Sequence, residues 1–172
     1  MNRKLLVVSM AAVCSAHVST GLMAASEDGN AVATVIEPLS ITENTAIDFG
    51  TVSGGPAAGT VVITTAGARS VTGDAQIIGT DGAAGTFTIS GQGGQAYTLT
   101  FSGVATLENA GGDQMTADTF TDDSAGTIPG TGASTEDFNV GATLNLDPSQ
   151  PSGSYSTATG GGSEYTITVN YD

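Results

Sequence analysis

Two pairs of adjacent carboxylates, Asp122-Asp123 and Glu136-Asp137, are the residues whose type best suits acid–base work or glycoside hydrolysis. Their adjacency works against them. Neighbours on an extended strand point to opposite faces, so neither pair makes a dyad, and both read as solvated loop acids. The same acids offer oxygens of the kind calcium takes. No Asp-x-Asp-x-Asp-Gly spacing and no Gly-Gly-x-Gly-x-Asp repeat is present. Structural calcium is therefore carried forward as the one ion these loops could hold, and no other cofactor is expected. Gly91-Gln92-Gly93-Gly94 lacks the lysine and following helix of a phosphate cradle and reads as a hairpin turn.

The rest of the chain removes most other chemistry. It has 172 residues, three Lys+Arg, 17 Asp+Glu, one His and one Cys. Arg3, Lys4, Cys14 and His17 all precede residue 26. Beyond that point one cation, Arg69, faces all 17 acids, a formal charge of 1 − 17 = −16. That remainder holds no Lys, His, Cys or Trp. It has no imidazole base, thiolate nucleophile, Schiff-base lysine or His/Cys metal site, so no enzyme is expected. Without a basic patch it is not expected to bind nucleic acid, and an anionic membrane would repel it.

The early cations have their own reading. Arg3-Lys4, the apolar run Leu5–Val13 and small residues up to Ala25 form a secretory signal pattern over residues 1–25. Cys14 as a lipoprotein anchor fits poorly, because Val13 rather than a small residue precedes it. No later apolar stretch approaches the roughly 18 residues of a membrane span. The expectation is an exported chain, in the periplasm in transit and then at the cell surface. Residues 26–172 form one domain without disulfides.

The elements that must position these residues are strands. The 25 glycines recur too densely for amphipathic helices, and the segments between them are rich in Val, Ile, Thr, Phe and Tyr. Strands are expected near 31–41 (bent at Pro38), 47–52, 60–65, 75–78, 86–90, 96–102, 115–120, 138–146 and 165–171. The stretch 104–107 reads either as a continuation of the 96–102 strand or as a strand following it. Phe87 and Ile89 alternate with Thr86, Thr88 and Ser90, and Val140, Ala142, Leu144 and Leu146 alternate with polar neighbours. Eight or nine such strands with glycine-rich turns predict an all-β, immunoglobulin-like antiparallel sandwich, with a closed barrel as the alternative. The acid-rich stretch 113–137 is expected to be largely loop, and 152–163 a flexible connection.

The two ends of the domain carry the most specific pattern. Tyr165, Ile167, Val169 and Tyr171 alternate strictly with Thr166, Thr168 and Asn170 at the C-terminus. Near the start, Ala31–Ile41 is an extended β-prone run interrupted by Glu37 and Pro38. Val35-Ile-Glu-Pro-Leu-Ser-Ile41 and Ile47-Asp-Phe-Gly-Thr-Val52 resemble the start of an uncharacterised secreted bacterial family, number 4402 among the domains of unknown function. Phe87–Gly91, Tyr97–Leu99, Phe138–Leu144, Gly153-Ser-Tyr155 and Thr168–Tyr171 continue the likeness across the domain. That family in turn resembles spore-coat-U-like subunits of archaic chaperone–usher pili.

The resemblance implies a sandwich lacking its last strand, completed first by a periplasmic chaperone and then by the N-terminal extension of the next subunit. On this reading Tyr165, Ile167, Val169 and Tyr171 line an acceptor groove. Ala33, Val35, Leu39 and Ile41 form one inward phase of the donor. The partners implied are further copies of the chain, a chaperone and an outer-membrane usher, in a fimbrium. Two departures stand beside the resemblance: the extension is short, and the disulfide of many such subunits is missing. The alternative is a monomeric secreted module that binds a glycan or surface protein through its loops.

Overall fold

Pro38 sets where the first strand can start. It has no backbone donor to give a ladder, and the first ladder begins two residues later. The computed structural model describes residues 24–172. The expected signal segment falls outside the described residues except for Ala24 and Ala25. The strands are β1 (Ser40–Thr45), β2 (Val52–Ser53), β3 (Gly59–Ile63), β4 (Arg69–Gly73), β5 (Gln76–Ile77), β6 (Gly85–Gly93), β7 (Tyr97–Ser102), β8 (Ala105–Glu108), β9 (Gln114–Asp122), β10 (Gly132–Leu146) and β11 (Thr166–Tyr171). No helix occurs among the described residues.

Every ladder is antiparallel. The main sheet has the order β1-β6-β10-β3-β4, with β9 also on β10 and β8 on β9. The long strand β10 makes it curl. Residues 132–140 pair β6, residues 142–146 pair β3, and β9 lies along Val140–Asn145. Separately, β11 pairs β7 from Thr166↔Ser102 to Tyr171↔Tyr97, and β2 pairs β5. The outcome is an all-β, sandwich-like fold of antiparallel strands.

The strict alternation in β6 puts Phe87 and Ile89 inward, as the sequence predicts. They pack with Tyr97, Ile128, Phe138 and Val140 in one cluster. Val61, Ile63, Met115, Leu144 and Leu146 anchor a second. Ile47, Phe120 and Tyr165 touch both, so the apolar interior is continuous. Burying each large side chain contributes roughly 1.5–3 kcal/mol. All of these residues lie in one unit, Val35–Asp172. The described part of the preceding unit, residues 24–34, carries no strand and is exposed.

Several expectations are corrected. The first strand runs Ser40–Thr45 rather than over 31–41, because Pro38 blocks pairing upstream and the polar run Thr-Glu-Asn-Thr is held by the β6 ladder. Most of 47–52 is irregular, with Asp48 in an isolated bridge to Ala83 and only Val52 in β2. The strand β4 carries a single large apolar residue, Val71, too little for an alternation to show. Gly91–Gly93 belong to β6, and the turn follows at Gly94 and Gln95. The acid-rich stretch is mostly strand, and only Asp113 and residues 123–131 lie outside β9 and β10. The 152–163 connection is tied down: Ser156 and Glu108 exchange two backbone hydrogen bonds, as do Ser163 and Thr106. Glu108 also accepts from Gly161 N at 2.8 Å.

Candidate functional site

Each acid of the two adjacent pairs accepts at least one hydrogen bond, although Glu136 Oε2 is buried without a partner. Asp123 accepts from Asn139 N at 2.6 Å and from Asn139 Nδ2 at 2.9 Å. Asp122 accepts from Ser124. Glu136 accepts from Ala125 N at 2.5 Å, and Asp137 from Thr88 Oγ1. The members of each pair face different partners; for Glu136 and Asp137, both within β10, strand alternation requires it. Among the described residues no group of three or more His, Cys, Asp or Glu is placed to hold a metal ion.

The Asp48-Phe49-Gly50-Thr51 block is a latch. Phe49 is buried in the core, and Asp48 Oδ1 accepts from Gly50 N at 2.8 Å. Thr51 donates its N–H and its hydroxyl to Asp81 Oδ2, both at 2.7 Å. Those bonds, the hydroxyl first, hold the Asp81 carboxyl below its ordinary value. Gly50 has φ +70, and a Cβ there would collide with the Asp81 backbone and the Arg69 guanidinium. Arg69, the sole cation after residue 25, thus serves a loop rather than a carboxylate partner in solvent.

The strongest candidate for a site is a cleft of about 400 Å³ lined by residues of both core clusters. Ile41 and Glu43 of β1 line it, as do Ile167 of β11 and the two residues just before that strand, Glu164 and Tyr165. Phe49, Phe87, Ala105, Leu107, Ala117 and Phe120 make its apolar lining, and Ser156–Ala158 contribute a polar rim. Both bounding strands are terminal. Among the described residues β1 pairs only β6, and β11 pairs only β7. Asp172 N donates to Ala96 O, which sets the phase of the β7 ladder. By alternation, Ile167, Val169 and Tyr171 turn their backbone N–H and C=O toward the unpaired edge.

Phe120 reaches the cleft through a bulge. The β9–β10 register shifts between Gly141 and Thr143, and Thr119 adopts φ 53. Without this extra residue, the inward phase of Met115 and Ala117 would continue to Thr119. With it, Phe120 stacks on Tyr165 at 4.1 Å and on Phe101 at 5.8 Å. The Tyr165 hydroxyl is buried there without a hydrogen-bond partner. Burial raises its pKa well above the usual phenol range, with Glu43 and Glu164 adding to the effect.

The eight end-strand residues are distributed as follows. Tyr165, Ile167, Val169 and Tyr171 are half-buried and pack against the Phe87–Ile89–Phe138 cluster. Leu39 and Ile41 pack against the same cluster, and Ile41 pairs Ile89 within the chain's own sheet. Val35 is 93% exposed. Ala33 is also exposed and outside any strand. The structure therefore brings six of the eight to one cluster. Glu43, Leu107, Phe120 and Ser156–Ala158 were not singled out from sequence. Only tertiary packing assembles them, although the β-branched and aromatic alternation around residue 120 was a usable signal.

A family model described as Domain of unknown function (DUF4402) matches residues 39–171. No curated protein and no solved structure matches the chain.

Proposed function

The chain belongs to this family of unknown function, and we propose that it is a structural subunit of a surface fibre, assembled by strand donation between copies. The observation that carries the reading is the apolar cleft lying between two terminal strands, β1 and β11. An unpaired edge beside an apolar groove is a template for another chain's strand. A strand seated there would pair with the outward N–H and C=O groups of Ile167, Val169 and Tyr171 and bury apolar side chains over Phe120 and Leu107.

The donor on this reading is residues 26–38, which carry no strand of their own, and in which Val32 is 91% exposed. Leu39 and Ile41 stay with the acceptor body, because they already fill its core. Thirteen residues extend about 43 Å, against about 20 Å for a six-residue strand such as β11, so the segment can fill the groove with length left to link subunits. Before polymerisation the open groove needs cover, which is the role of a periplasmic chaperone, and an outer-membrane usher is the matching export partner.

The test is deletion of residues 26–36, followed by gel filtration and electron microscopy. The intact chain should form polymers and the deleted chain should stay monomeric. A peptide of residues 26–38 should then raise the melting temperature of the deleted chain. Polymers of undiminished length after the deletion would overturn the reading, as would an intact chain that remains monomeric after chaperone release.

A further inference from the structure

The β1–β6 ladder ends at Ser40↔Ser90. Continuing its register by two residues would set position 38 opposite Gln92. Position 38 is Pro, which has no N–H to give, and the chain leaves the sheet there. A side chain from β11 takes over at this point. The Tyr171 hydroxyl accepts from Gln92 N at 2.6 Å and donates to the Glu37 carbonyl at 2.8 Å. One phenolic oxygen therefore links the two backbones at the place where direct pairing has failed, with both its donor and acceptor capacities used.

The slot for this oxygen is built by a glycine. A Cβ at position 91 would run into the Tyr171 hydroxyl, and would also lie 2.9 Å from Leu39 Cδ2 and 2.8 Å from Ile128 Cδ1. Gly91 is buried within β6, and the atoms in the way are all side-chain ends, so an added methyl would displace the phenol rather than the backbone.

We infer that Tyr171 is a positioning residue that anchors the root of the N-terminal segment at Glu37, tying that root to β11. Only the word donor for that segment rests on the strand-donation reading; the anchoring does not. If the segment is the donor, the strand that receives a neighbour also holds the point from which the subunit's own donor departs.

The test uses the chain from residue 26 with a spin label on Val35→Cys, the only cysteine it would then contain. Amide hydrogen exchange at Gln92 and label mobility are compared in the parent, Tyr171→Phe and Gly91→Ala. Tyr171→Phe removes only the oxygen, and Gly91→Ala keeps the phenol but closes its slot. In both, Gln92 exchange should quicken about tenfold, the scale of one lost hydrogen bond, and the label should become more mobile. A general loss of stability would instead speed exchange throughout β6. Unchanged exchange at Gln92 and unchanged label mobility in both variants would refute the anchoring. If the parent polymerises, Tyr171→Phe should slow polymer growth. If the parent never polymerises, strand donation fails, and the exchange measurement still decides the anchoring.

Discussion

Arg69 Nη1 donates to the carbonyl oxygen of Phe49 at 3.1 Å, while its Nη2 donates to Gly79 O at the same distance. One planar guanidinium thus joins β4 to the turn before β2 and to the loop after β5. Hydrogen bonds from a charged, half-buried donor contribute about 1.5–3 kcal/mol each. Arg69→Met should lower unfolding free energy by about 2–4 kcal/mol in urea titrations, and Arg69→Lys should recover only part, since an ammonium lacks the fork. A variant as stable as the parent would show that the latch is ornamental.

Acid should weaken the same latch. The Thr51 hydroxyl and N–H depress Asp81 below 3.8, and the Gly161 N–H and Gln114 amide depress Glu108 below 4.5. For a carboxyl lowered on folding, the added stability is present above the unfolded value and is lost as pH falls through the folded one. Unfolding free energy should therefore fall as pH drops below about 4. Relief of repulsion among the other acids acts oppositely, so the comparison that isolates the local contribution is with Asp81→Asn. That variant should show a shallower acid loss than the parent; equal slopes would contradict the assignment.

Trypsin should report unfolding at one bond. Arg69 is the only Lys or Arg after residue 25, and its side chain is held within β4. The folded domain should resist cleavage, and the unfolded chain should give two fragments, 26–69 and 70–172. Rapid cutting under native conditions would mean that β4 opens readily.

Thr119 carries strain. A β-branched residue at φ 53 sits in a conformation that costs roughly 1–2 kcal/mol, maintained by the bulge that turns Phe120 inward. Thr119→Asn, a residue tolerant of that region, should stabilise the domain by about 1 kcal/mol, whereas Phe120→Ala should cost about 3 kcal/mol. Differential scanning calorimetry separates the two, and a destabilising Thr119→Asn would count against the strain argument.

Filling the cleft should block assembly without harming the fold. Ala158 is exposed at the cleft rim, so Ala158→Trp should keep the parental melting temperature and reduce polymer yield. On the strand-donation reading, polymers should lengthen with added salt, because residues 26–172 carry a formal charge of −16 (one cation, 17 acids) and copies would repel one another. Polymers that dissolve in salt, or form normally with Ala158→Trp, would point to a different contact.

The antiparallel strands were readable because period-two alternation is a local property. Phe87–Ile89, Val140–Leu146 and Ile167–Tyr171 show their inward faces in sequence and take them in the fold. Where strands carry little apolar content, as in Arg69–Gly73 and Thr42–Thr45, nothing local marks them, and the neighbouring ladder alone makes them strands. The acids of β9 and β10 misled for the same reason: an outward strand face and a loop look alike in composition.

The sequence by itself determined the class of fold and its narrow set of side-chain chemistries: the glycine spacing after residue 25 disfavours helices, and no Lys, His or Cys and no basic patch remains there. It also marked Tyr165, Ile167, Val169 and Tyr171 as one apolar face. Only the tertiary structure decided that Leu39 and Ile41 belong to the body, that Phe120 and not Thr119 points inward, and that β1 and β11 border a cleft, each with one edge unpaired among the described residues. Those outcomes depend on register and on which strand lies beside which. Such long-range pairings are set by the packing of the whole core, and no window of neighbouring residues encodes them.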